Sequence, residues 1–115
     1  MTTVPDCPLC AADGGRVLVR TADWRVIEAA GGEATDYPGF LRVVWNAHVA
    51  ELTDLPPAQR HLLLDVVATV EQCIRDAMAP AKVNLAAFGN MVPHLHWHLI
   101  PRWRDDAHFP APVWA

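Results

Sequence analysis

Apolar and polar positions along the chain set out a short series of elements. Arg16 to Arg20 and Trp24 to Ala29 are runs rich in Val, Ile and Trp, the first preceded by the turn signal Asp13-Gly14-Gly15, and each predicts a strand. Phe40 to Asn46 is almost wholly apolar and predicts a third, central strand. From Pro57 to Met78 the period lengthens. Leu63, Val66, Val67, Val70, Ile74 and Met78 recur at three- and four-residue steps, which puts them on one face of a single long helix. Pro57 suits a first helical turn and Pro80 follows the last, although Pro56 stands where a Ser, Thr or Asp cap is usual. Lys82 to Phe88 and His94 to Arg102 predict two further strands, Gly31 to Gly39 a loop, and Cys7-Pro8-Leu9-Cys10 a tight knuckle. Cys73, next to Ile74, is expected in the core, and His61 on the helix surface. Strands, then a helix, then strands define an α+β domain with an antiparallel sheet.

Composition narrows the classes. The 115 residues suit one domain, 1–115, with a single core, and 52% hydrophobic against 19% charged residues is a globular composition. The formal charge is −4 and the nine basic residues are scattered, so no stripe is available for long nucleic acid, whereas one nucleotide in a pocket is compatible. No basic N-terminal region leads into an apolar run, and no stretch approaches the ~18 apolar residues that a membrane span requires. The expected location is therefore cytoplasmic, where the thiols stay reduced and Cys7-x-x-Cys10 reads as a metal or redox pair. No organic cofactor is expected.

The chemistry concentrates in His94-Leu95-His96-Trp97-His98-Leu99-Ile100. In a strand, alternate side chains share a face, so three imidazoles lie on one side at ~6.6 Å steps while Leu95, Trp97 and Leu99 face the core. Imidazole offers a nucleophilic nitrogen near neutrality, and its protonated form a donor to phosphate oxygens or a leaving group. Packing alone rarely places three histidines together. The competing reading is a transition-metal site completed by Asp105, Asp106 or His108.

This segment resembles the signature of the histidine-triad (HIT) hydrolases and transferases, His-apolar-His-apolar-His with two further apolar residues. The likeness extends over Pro38-Gly39-Phe40 through His48-Val49, Glu51-Leu52-Thr53-Asp54-Leu55, Asn84, Gly89-Asn90, Arg102 and Pro112-Val113-Trp114. It implies a five-stranded antiparallel sheet with one principal helix, commonly a homodimer, acting on a nucleoside phosphate. It also implies a mechanism. His96 would attack the α-phosphorus, His98 would hold the scissile phosphate and assist the leaving group, and His94 would orient its neighbours. Asn84, Gly89 and Asn90 would contact the phosphate or position the triad, and Asp36 is the candidate ribose contact. Dinucleoside polyphosphates and nucleoside phosphoramidates are the substrate classes implied. Two positions depart from the family pattern: Phe40 stands where a fourth histidine is common, and Met91 near a usual Ser or Thr. Those two favour the alternative of a nucleotide-binding protein with little catalysis, a metal-binding module being the third reading.

Cys7-x-x-Cys10 has structural-zinc spacing and equally that of a redox pair. Zinc-binding members of the family, which the chain resembles here, complete such a pair with the counterparts of His48 and His94. The resemblance thus implies one structural Zn²⁺ on Cys7, Cys10, His48 and His94.

Overall fold

The computed structural model describes residues 1–115. Five strands, β1 (Arg16–Arg20), β2 (Trp24–Glu28), β3 (Leu41–Trp45), β4 (Lys82–Ala86) and β5 (His96–Arg102), form one sheet in the order β1-β2-β3-β5-β4. Every neighbouring pair is antiparallel. The apolar third strand lies in the middle of the sheet, as its composition predicts. Helices α1 (Pro8–Ala11), α2 (Gly31–Asp36) and α3 (Pro57–Met78) complete the chain, with a short 3-10 turn at Leu52–Asp54. No helix is long and apolar enough to cross a membrane.

Alternation along the strands divides the molecule into two layers. Val43 and Trp45 of β3 join Leu99 of β5, Leu95 just before it and Leu63, Val66, Val67 and Ile74 of α3 in the main core. Trp97 packs against the same cluster, so the odd-numbered side of the triad segment is the helix side. The opposite side carries a smaller core of Ala29, Tyr37, Phe40 and Ile100, covered in part by Val113 from the tail. His96 and His98 emerge on this second side.

The predicted long helix spans the same residues in the structure, ending at Ala79 with φ 50°, in the left-handed region. Three expectations are corrected. Residues 31–36, read as loop, form α2; a six-residue helix opened by two glycines is too short to show a 3.6-residue period. Cys73 is exposed rather than in the core, because the buried stripe runs through Ile74 and leaves position 73 outside it. The fifth strand begins at His96, not His94. Pro93 has no N–H to give, and the Leu95 N–H is drawn away to the Val49 carbonyl at 2.8 Å.

The N-terminal knuckle is held to the sheet by Arg25, which is 4% exposed. Its guanidinium donates to the carbonyls of Leu9 (2.8 Å), Ala12 (3.3 Å) and Asp13 (3.0 Å) and to Asn46 Oδ1 (2.9 Å). These carbonyls would otherwise be unpaired at a turn packed on the sheet.

Candidate active site and metal cluster

His96 and His98 line a cavity of about 590 Å³ together with Gly89, Asn90, Arg42 and Glu33, with Trp114 at its edge. The two imidazoles lie 4.9 Å apart, ring centre to ring centre. His96 Nδ1–H donates to the His94 carbonyl at 2.5 Å. In the neutral ring this leaves the lone pair on Nε2, the nitrogen free to act as a nucleophile. Burial lowers the His96 pKa, with the Arg42 charge adding to it against the opposing bond to His94. His98 is pushed down to about 3 by burial first, then by Arg42 and His96. Both rings are therefore neutral near pH 7.

An aromatic wall surrounds His98. Phe40 meets it edge-on at 5.9 Å and Trp114 at 4.8 Å, while Phe88 is 6.4 Å away. Phe40, standing where a fourth histidine is common in the family, is only 1% exposed and thus packs beneath the ring. Met91 is 95% exposed on the rim.

His94 does not reach this cavity. It is fully buried, and its Nε2–H donates to the Trp45 carbonyl at 2.6 Å. That bond turns Nδ1 toward the cysteines, 3.3 Å from Cys7 Sγ and 3.5 Å from Cys10 Sγ. His48 Nδ1 lies 3.4 Å from Cys10 Sγ, and the four donor atoms lie within 4.8 Å of one another. A tetrahedral ion with Zn–S of ~2.3 Å and Zn–N of ~2.0 Å spaces its donors by about 3.3–3.8 Å. The donor set therefore fits such an ion, and the Trp45 carbonyl supplies the outer hydrogen bond that orients a ligating imidazole. The structure thus holds a Cys2His2 cluster able to bind a metal.

The other sequence candidates separate. Gly89 and Asn90 line the triad cavity. Asn84 does not; its Oδ1 accepts from Arg102 Nη1 at 2.8 Å, and the residue borders a different groove. Asp36 is exposed and away from the cavity, where Glu33, one turn earlier on α2, takes part instead. Asp106, a proposed extra metal ligand, is bound by Arg102 through Nε (2.7 Å) and Nη2 (3.1 Å). His108 pairs with Tyr37. Neither joins the triad, and Asp105 is exposed.

Sequence reasoning missed Arg42, Glu33, Arg25 and the Arg102–Asp106 pair. Arg42 carried a signal, because a lone cation in an apolar central strand needs a partner. Its partners lie at 33 and 98, and only the strand register reveals them.

With this geometry in view, the chain belongs to the HIT domain family, whose profile matches residues 29–105. It resembles a histidine triad protein from Bradyrhizobium japonicum, with TM-score 0.80 and 29% identity over 90% of this chain and 75% of that one. It is also 33% identical over 78 residues to the AP-4-A phosphorylase of Mycobacterium tuberculosis, covering 63% of this chain and 40% of that protein. The asymmetrical bis(5'-nucleosyl)-tetraphosphatase of Schizosaccharomyces pombe is 32% identical over 74 residues, 60% of this chain and 41% of that protein. The chain thus spans about 40% of the length of these two relatives.

Proposed function

We propose that residues 1–115 act as one nucleotidyl hydrolase or transferase domain, cleaving a nucleoside polyphosphate or phosphoramidate through a nucleotidyl-histidine. The observation that carries this is His96: Nδ1 is committed to the His94 carbonyl and the ring opens on a cavity sized for a small molecule. The names of the two relatives support the same chemistry.

In this reading the Nε2 lone pair of His96 forms the N–P bond as the bond to the leaving group breaks and its electron pair departs with that group. Water then attacks phosphorus, the N–P bond breaks, a proton passes to solvent and the nucleoside monophosphate leaves. His98 binds the scissile phosphate. Gly89 and Asn90 border it on the 89–92 loop, and His94 acts through its backbone carbonyl. Asn84 acts at one remove by holding Arg102. Dividing one displacement into two easier ones is the benefit of a covalent intermediate.

We further propose that Cys7, Cys10, His48 and His94 hold one Zn²⁺. A site closed by four protein ligands is structural, and the ion would tie the knuckle to the strand that carries His96. The homodimer and the cytoplasmic location belong to the same proposal.

The test is release of nucleoside monophosphate from an adenosine dinucleotide polyphosphate and from an adenosine phosphoramidate, by the wild type and by His96→Ala. Turnover lost by roughly 10³-fold or more in the variant supports the enzyme. Binding of the monophosphate without turnover of either compound favours the binding-protein reading, for which Phe40 beneath His98 is the specific reason.

A further inference from the structure

Arg42 and His98 are direct cross-strand partners on β3 and β5, on the cavity side of the sheet. The Arg42 Nε–H donates to His98 Nδ1 at 3.0 Å, and one Nη donates to Glu33 of α2 at 2.7 Å. The guanidinium also stacks on the Phe40 ring, 4.9 Å from its centre. Arg42 is thus fixed by three contacts, with only 17% of its side chain exposed.

The chemistry of the pair is one-directional. Guanidinium has no acceptor and keeps its proton at any ordinary pH, so Nδ1 of His98 must be the acceptor. A neutral ring then carries its proton on Nε2. A protonated ring would set an N–H against an N–H and a cation against a cation. The other neighbours of His98, namely His96, Phe40, Phe88 and Trp114, bring no negative charge, and Glu33 is turned to Arg42. Burial of His98, which is 7% exposed, acts in the same direction.

We propose that Arg42 makes this site selective for leaving groups that depart as anions, by holding His98 as a neutral ring that donates a hydrogen bond from Nε2 and has no acidic proton to transfer. A phosphoanhydride meets that condition. As the His96 N–P bond forms, the P–O electron pair stays on the departing phosphate oxygen, which is stable as an anion. A phosphoramidate does not, because its P–N electron pair must take up a proton as the amine leaves. The substrate class is therefore a nucleoside polyphosphate rather than a nucleoside phosphoramidate. This rests on the nucleotidyl-transfer reading above and adds Arg42 as its positioning and specificity residue.

Two measurements on the whole chain test it. Two-bond ¹⁵N–¹H spectra of the wild type should show His98 as the Nε2–H tautomer at neutral pH; the Nδ1–H tautomer or an imidazolium would overturn the proposal. In Arg42→Met the ring should become free to protonate. Turnover of the phosphoanhydride should then fall while that of the phosphoramidate rises as pH is lowered, so that the ratio of their kcat/KM values drops by about 10². An unchanged ratio and an unchanged His98 spectrum in the variant would overturn the proposal. Should Arg42→Met fail to fold, Arg42→Gln, a polar chain that removes the same positive charge from beside His98, should shift the ratio in the same direction, and no shift would overturn it. Wild-type protein that turns over neither compound would refute the enzyme reading and the selectivity with it, whereas turnover by a protein whose His98 is not the Nε2–H tautomer would refute the role of Arg42 alone.

Discussion

His96 and His98 differ in what they hold. His96 gives its Nδ1–H to a backbone carbonyl, whereas His98 receives a hydrogen bond from a cation. The pair therefore presents a bare nitrogen and an N–H to the same space. The environment of His98 has a consequence for stability. Its pKa is held at about 3, chiefly by burial and then by Arg42, against ~6.5 in an unfolded chain. Between those values the unfolded chain binds a proton that the folded one refuses, so stability falls as pH falls from about 6.5 toward 3 and is unaffected by this group above that window. Thermal melts of wild type and His98→Asn should show a steeper loss of Tm in the wild type between about pH 6.5 and 4.5. Parallel slopes would count against a neutral, buried His98. His96 and His98 were legible in the sequence because period-two spacing maps directly onto one face of a strand, whereas His94, which precedes the strand and turns to the cysteines, does not share their cavity. Asp36 and Asn84 were less so. Asp36 lies on a short helix that no periodicity announced, and Asn84 sits on an edge strand whose neighbour is Arg102.

At the level of elements, α3 was the most legible, since its apolar stripe and flanking prolines bound it at both ends. Its C-terminus is imperfect. Ala79 adopts φ 50°, a conformation that costs an L-residue free energy and costs glycine none. Ala79→Gly should therefore raise unfolding free energy by about 1 kcal/mol in urea titrations, with turnover unchanged. The tail after β5 was the least legible element, because its order comes from a buried ion pair rather than an apolar pattern. Arg102 and Asp106 have side chains 2% and 4% exposed, and Asp106 also accepts from the backbone N–H groups of Trp103, His108 and Phe109. Arg102 in turn donates to the Ala111 carbonyl at 2.8 Å. This clamp shapes the tail leading to Trp114, which lies against His98. Asp106→Ala leaves a buried guanidinium without its partner and should cost about 3–5 kcal/mol, read from the same titrations. A loss under ~1 kcal/mol would mean that the tail is not held by this pair.

On the scale of the whole molecule, the sheet separates labour. One face is filled by α3 and carries most of the core. The other is left to the knuckle, α2 and the tail, which border the space where His96 and His98 emerge. The Cys2His2 cluster lies where the knuckle, the turn after β3 and the approach to β5 meet, so a bound metal would fasten three segments distant in sequence. Cys10→Ser should lower both zinc content and Tm while changing kcat far less than His96→Ala does, as judged by metal analysis, melting and turnover. A collapse of kcat in stably folded Cys10→Ser would assign the metal a direct part in the chemistry. The Cys-x-x-Cys spacing suited a metal and a redox pair equally, the residues supplying the other two donors were identified by family resemblance, and only the fold brings 48 and 94 beside 7 and 10.

The central claim is that His96 becomes covalently attached to the nucleotide. Protein mixed with an adenosine dinucleotide polyphosphate, quenched within the first turnovers under conditions that preserve N–P bonds, and analysed by peptide mass spectrometry tests it most directly. The account predicts an adenylyl group on the peptide containing His96, absent in His96→Ala. Turnover with the adduct on another residue, or turnover retained by His96→Ala, would contradict it.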